Sequence, residues 1–145
     1  TKAISHWLRN LKKAMNIFCI MVALLFCGCG QKYREILLVP DSKKIGIKSF
    51  YVVKNPSDQS GISGMIEHSI SRQGFNITSD QKSADLVVTY DVIHLSYGVL
   101  YIFFRDAKDN FPMVICNDIR YGSEAINREL AVQEIIEAML KKEGI

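Results

Sequence analysis

Two kinds of apolar pattern run along this chain. The first is unbroken: Ile17 to Phe26 contains no polar residue, and Lys12 and Lys13 stand just before it. The second is periodic and fills the rest. Gln31 to Glu35 reads as a polar tether, and Ile36 to Val39 as an edge strand or extended lead-in stopped by Pro40, since proline donates nothing to a sheet ladder. After a turn at Asp41 to Lys44, Ile45 to Val53 alternates as a strand, with Ile47, Ser49 and Tyr51 on one face and Phe50 and Val52 on the other. The period then changes. Ile62, Met65, Ile66, Ser69 and Ile70 recur at three and four residues, which predicts a helix to about Gln73, capped by Ser57 or Asp58. Gly61 and Gly64 each weaken that helix by about 1 kcal/mol, so packing must hold it. Gly74 suits a left-handed C-cap, with Phe75 folding back on the last turn.

Alternation returns after Gly74. Phe75 to Thr78 is a short strand and Ser79 to Ser83 a turn. Ala84 to Ile93 is the clearest strand, with Leu86, Val88, Tyr90 and Val92 on one face. Val99 to Phe104 is almost wholly apolar, which predicts a central strand covered on both sides. Arg105 to Asn110 has turn composition, and Met113 to Tyr121 returns as a strand. Ser123 is the expected cap of a last helix, Glu124 to about Lys142. Ile126, Leu130, Val132, Ile135, Ile136, Met139 and Leu140 form its apolar side, and Gly144 ends it. The order predicts an α+β two-layer sandwich. A mixed, largely antiparallel sheet of about five strands carries two helices on one face, and the other face is left to solvent, a partner or a membrane-proximal surface.

The unbroken run is too short to span a bilayer. Ile17 to Gly28 is 12 residues, against about 20 for a crossing helix. With lysines before it and small residues after it, it has the form of a signal peptide. Its end, Leu25-Phe26-Cys27-Gly28-Cys29, resembles the lipobox of bacterial lipoproteins. That resemblance implies cleavage between Gly28 and Cys29, lipidation of Cys29, and a membrane anchor through it. Gly30, which is not aspartate, implies the outer membrane, with the domain in the periplasm. The expected division is residues 1–28 as leader, 29–43 as lipidated cysteine and tether, and 44–145 as one α+β domain. An uncleaved short anchor is the competing reading. The first residue is Thr1, so initiation at Met15 or upstream stays open, with residues 1–14 extra in the former case.

Composition changes the picture in two ways. The formal charge of +3 comes from the leader: from Gly30 onward 14 Lys and Arg face 15 Asp and Glu. The mature domain shows no basic face for nucleic acid. Of the four cysteines only Cys116 lies outside the leader, and it sits in an apolar strand as a small buried side chain. Cys27 and Cys29 have neither the spacing nor the second pair of a metal site.

Catalytic candidates are few. His68 lies beside the apolar stripe of the first helix and His94 follows a strand. Gly61-Ile62-Ser63-Gly64 lacks the Lys and Ser/Thr of a phosphate loop. Asp85 and Asp91 share a strand face about 20 Å apart, too far for a carboxylate pair. Asp106 and Asp109 read as turn residues, with weak calcium binding as the alternative. Tyr90, Tyr97, Tyr101, Tyr121, Phe103 and Phe104 read as core and sheet-face residues, alternate members of which would form a docking patch on an open face.

Three further pieces carry a resemblance: Arg72-Gln73-Gly74-Phe75 closing a helix, Ser83-Ala84-Asp85-Leu86-Val87-Val88 opening a strand, and Gly98 to Ile119 as a hairpin before a terminal helix. In this layout the chain resembles small lipoproteins of bacterial envelopes and is similar to the amino-terminal domain of TolB. The resemblance implies a fold and an envelope location, and no functional residues. The expected function is a non-enzymatic envelope lipoprotein with a protein partner and no cofactor. The alternatives are a small-molecule or lipid carrier walled by Val99 to Phe104, and a hydrolase centred on His94.

Overall fold

The structure is a computed structural model. It describes residues 31–40, 46–94, 98–121 and 127–144, without the side chains of His94 and Glu143. The strands are β1 (Lys32–Leu38), β2 (Ser49–Val52), β3 (Asn76–Ile77), β4 (Leu86–His94), β5 (Gly98–Asp106) and β6 (Pro112–Arg120); the helices are α1 (Ile62–Arg72) and α2 (Arg128–Glu143). They form one open sheet in the order β1-β6-β5-β4-β2-β3. Its β1-β6-β5-β4 part is antiparallel, and β2 runs parallel to both β4 and β3. The fold is thus mixed α and β, with six strands where the sequence suggested about five.

The sixth strand joins the stretch read as a tether, Gln31 to Glu35, to the expected edge strand or lead-in from Ile36. β1 pairs with β6 at seven positions, from Lys32 opposite Arg120 to Leu38 opposite Val114. Tyr33, Glu35 and Leu37 alternate with Arg34 and Ile36, which is a strand pattern with charges on both faces. The predicted strand from Ile45 is shorter than expected. β2 begins at Ser49, Gly46 just ahead of it takes φ 79°, and Ile45 lies outside the described residues.

Both helices cover one face. Phe50, Val52, Leu86, Val88, Ile102, Phe104, Val114 and Cys116 from the sheet meet Ile62, Ile66 and Ile70 of α1 and Val132, Ile135, Ile136 and Met139 of α2 in one core. Phe50 sits at its centre, with ring contacts to Phe75 at 5.3 Å and Phe104 at 5.5 Å, both edge-on. That geometry adds about 0.5–1.5 kcal/mol per pair beyond burial. Phe75 reaches there because the chain turns at Gly74, φ 90°, and its amide donates to the Ile70 carbonyl.

The helix starts differ from expectation. α1 begins after Gly61, whose φ of 71° offers no side-chain cap. Asp58 acts from outside: its carboxylate accepts from the Ser60 and Ser63 amides, at 3.0 Å each. α2 begins at Asn127, whose Oδ1 accepts from the Leu130 amide at 3.1 Å. Ser123 lies outside the described residues. Gly144, φ 77°, closes α2 as expected.

Candidate functional site: the helix-free sheet face

The alternation that sends Leu86, Val88, Ile102 and Phe104 into the core sends their neighbours to the face that no described helix covers. The register aligns them in rows across the strands. Tyr33, Ile119, Val99 and Ile93 form one row. Glu35, Asn117, Tyr101 and Asp91 form the next, and Leu37, Ile115, Phe103 and Thr89 the one after. Tyr33 and Leu37 are about half exposed, at 54% and 51%, and Ile93 stands at 41%. Tyr101, Phe103, Ile115 and Ile119 are half-buried by one another. Arg105 closes the patch: its guanidinium lies 5.1 Å over the Phe103 ring, and its Nε donates to Thr89 Oγ1 at 3.2 Å. In the middle row the Asn117 Oδ1 is shut off from solvent with no hydrogen-bond partner among the described residues. Leaving such an acceptor unpaired costs about 1–3 kcal/mol.

Aromatic residues of the sequence divide accordingly. Tyr101 and Phe103 lie on this face, Tyr90 and Phe104 are buried on the helix side, and Tyr121 is 43% exposed at the end of β6. Tyr97 lies outside the described residues. The contribution of Tyr33 and Glu35 was missed, because Gln31 to Glu35 read as a tether before the edge strand; their signal was the alternation of Tyr33, Glu35 and Leu37. β5 is central in the sheet, yet the described helices cover only one of its faces.

Polar clusters elsewhere are explained by the fold. The largest joins β1, β6 and α2. Lys32, Arg34 and Arg120 all donate to Glu134 Oε2, at 3.1, 3.1 and 2.9 Å. Arg34 and Arg120 also hold Asp118 through their Nε atoms, at 2.7 and 2.6 Å. Asp118 and Arg120 are almost fully buried, at 2% and 4%. Burial acts to raise the Glu134 pKa, but the hydrogen bonds from Lys32, Arg120 and Arg34 outweigh it and bring the carboxyl down to about 2. Burial likewise opposes the charge of Arg120, and its bonds to Asp118 and Glu134 prevail, so its pKa is raised. The cluster clamps the last helix to the sheet edge. Sequence reading missed it because its members are far apart in the chain; the one local sign was Asp118 and Arg120 on the inward side of β6.

A second group surrounds the start of α1. The Tyr90 hydroxyl donates to Asp58 Oδ2 at 2.8 Å and accepts from the Asn55 amide at 3.3 Å. Burial raises the Tyr90 pKa. For Asp58 burial is outweighed by the bonds from Ser63, Tyr90, Ile62 and Ser60, and its pKa is lowered. Asp85 accepts from the Lys48 and Ser49 amides and the Ser49 hydroxyl, at 2.9 to 3.0 Å, stitching β2 to β4.

The remaining candidates fall out simply. His68 is exposed on α1, and His94 ends β4. Asp106 and Asp109 accept from the Lys108 and Phe111 amides, as turn residues do. No group of three metal-ligating side chains occurs among the described residues. Cys116 is fully buried, and burial pushes its thiol up to about 12. Of the strand that the carrier reading placed along a pocket wall, Val99 to Phe104, Ile102 and Phe104 are fully buried in the core. A groove of about 560 Å³ lies past the ends of β2 and β3, lined by Tyr51, Lys54, Glu67, Ile77, Thr78 and Ser79, among others. No described helix is long and apolar enough to cross a membrane. Gly28 and Cys29 lie outside the described residues.

No family model matches the chain, and no curated protein does. Solved structures do share its fold. The PelC dodecamer from Paraburkholderia phytofirmans superposes with a TM-score of 0.53 at 11% identity, over 78% of this chain and 97% of that one. A PDZ domain protein from Parabacteroides distasonis gives 0.54 at 10% identity, over 78% of this chain and 36% of that one. TolB from Acinetobacter baumannii gives 0.47 at 16% identity, over 77% and 31%, too slight a likeness to argue from. At these identities what is shared is the fold.

Proposed function

We propose that this chain is a non-enzymatic, lipid-anchored module of a bacterial envelope whose helix-free sheet face binds protein. The observation that carries the proposal is the face itself: Tyr101, Phe103, Ile115 and Leu37 lie together on it, part exposed, around an Asn117 Oδ1 that has no partner among the described residues. A contiguous apolar surface of this kind, rimmed by Glu35, Asp91 and Arg105, is the ordinary mark of an interaction site. The lipobox-like ending at Cys29 supports the anchor and the outer-membrane, periplasm-facing location. The PelC protein of the same fold is a dodecamer, which supports assembly of protein on protein for this fold. The polar clusters found among the described residues serve capping and clamping, which supports a non-catalytic role.

The test is photocrosslinking in intact cells. A benzophenone side chain at Phe103 is expected to give a discrete adduct that the same group at Glu137, exposed on α2, does not. An adduct at a multiple of the chain's own mass identifies self-assembly, and any other mass a different envelope protein. Equal, diffuse labelling from both positions would refute the docking role of the face.

A further inference from the structure

The position of β1 constrains how the domain sits at the membrane. A tether to about residue 43 would let the domain move freely beneath its anchor. The sheet instead starts at Lys32, and the Gln31 carbonyl already accepts from the Tyr121 amide at 2.8 Å. Gly30 alone separates Cys29 from this fixed point. Two residues of chain reach at most about 7 Å in any conformation. The headgroup layer on each side of a bilayer is about 5–8 Å deep. A diacylglyceryl group on Cys29 therefore brings the start of β1 into contact with lipid headgroups.

The register says what else lies there. Lys32, Arg120, Gly98 and His94 pair in sequence across β1, β6, β5 and β4, and so form one end of the sheet. The row just inside it runs from Tyr33 to Ile93, both large and exposed, at 54% and 41%. Tyr121, 43% exposed, follows Arg120 on the same end. Tyrosines are favoured at the membrane–water interface because one end of the ring is apolar and the other wet. Lys32 stands at this end with its side chain 46% exposed, while Arg34 and Arg120 are turned inward onto Asp118 and Glu134. The end thus presents aromatic side chains beside the Lys32 ammonium, which suits the headgroup layer of a phospholipid surface.

We infer that this end of the sheet is a second, direct membrane contact: Tyr33, Ile93 and Tyr121 lie in the headgroup layer, and the domain is held upright on the bilayer with Phe111 pointing away. This rests on the lipid-anchor reading. Phe111 sits in the β5–β6 turn, before the 9 residues of β6 that end at Arg120, and is therefore about 30 Å from the membrane. Docked this way, the rows of Tyr101 and Phe103 stand above the lipid and remain open to a protein.

Tryptophan quenching tests the geometry. The only tryptophan, Trp7, precedes Cys29 and is lost on cleavage. Tyr33→Trp, Tyr121→Trp and Phe111→Trp each give a single-indole mature protein, at positions exposed enough to accept the larger ring. The lipidated proteins are reconstituted in phosphatidylethanolamine–phosphatidylglycerol vesicles with bromine near the headgroup end of the acyl chains. Emission from Tyr33→Trp and Tyr121→Trp is expected to fall at least twofold relative to unbrominated vesicles, with Phe111→Trp unchanged. Intact mass of the same samples shows whether Cys29 is acylated. Acylated protein with no quenching at position 33 or 121 overturns the membrane contact and leaves the anchor standing. Unacylated protein overturns both.

Discussion

Glu134 is the acid on which three cations converge, and replacing it gives a quantitative test of the clamp between α2 and the sheet. Glu134→Gln keeps the length and one accepting oxygen but removes the charge that Lys32, Arg34 and Arg120 share. The depression of its pKa from 4.5 to about 2 corresponds to about 3.4 kcal/mol at 1.36 kcal/mol per unit. The side chain is 30% exposed, and solvent screening brings the expected contribution to about 1–2 kcal/mol. The sign follows from linkage. A carboxyl whose folded pKa lies below its unfolded one stabilises fully above the unfolded value, and that stabilisation is lost as pH falls through the folded value. Urea unfolding of the domain from Gln31 onward should show Glu134→Gln less stable by about 1–2 kcal/mol at pH 7. The gap should begin to close below pH 4.5 and nearly vanish at pH 2. A gap that is absent at pH 7, or that stays constant down to pH 2, would refute the assignment of this carboxylate as the anchor of the cluster.

Other outcomes follow from the same structure. Asp118→Ala leaves Arg120 buried at 4% exposure without its closest partner and should cost about 3–5 kcal/mol in urea unfolding, more than Glu134→Gln. Gly74→Ala meets no atom within 4 Å but must hold φ 90°, so its cost is purely one of backbone, about 1–2 kcal/mol by the same measurement. Cys116, fully buried with its thiol pushed up to about 12, should resist maleimide at pH 8 in the native state and react stoichiometrically once urea unfolds the chain.

What was legible in the chain was local. The alternation of Leu86, Val88 and Tyr90 placed β4 on the core with the right face inward, and the Ile62-Ile66-Ile70 stripe placed α1. Gly74 and Gly144 marked helix ends because a left-handed residue there is nearly always glycine. What was not legible depends on distant partners. β1 carries Lys32, Arg34 and Glu35, so its apolar signal is weak; it becomes a strand by pairing with β6, and its inward arginine is satisfied by Asp118 and Glu134, more than eighty residues away. The cap of α1 was misplaced for a related reason. Asp58 does cap the helix, but across a left-handed Gly61, and is fixed there by Tyr90 of β4. The sheet face without described helices was half legible: Tyr101 and Phe103 were visible as alternate strand residues, but Tyr33, Leu37 and Ile115 join them only through the β1–β6–β5 register.

The proposed envelope anchor depends above all on Cys29. The direct measurement is the intact mass of the protein extracted from membranes. The expected mass is that of a chain beginning at Cys29 and carrying a diacylglyceryl group, with every residue before it absent. A mass that retains Met15 and the apolar run after it would contradict the anchor, and with it the membrane-docked orientation of the sheet.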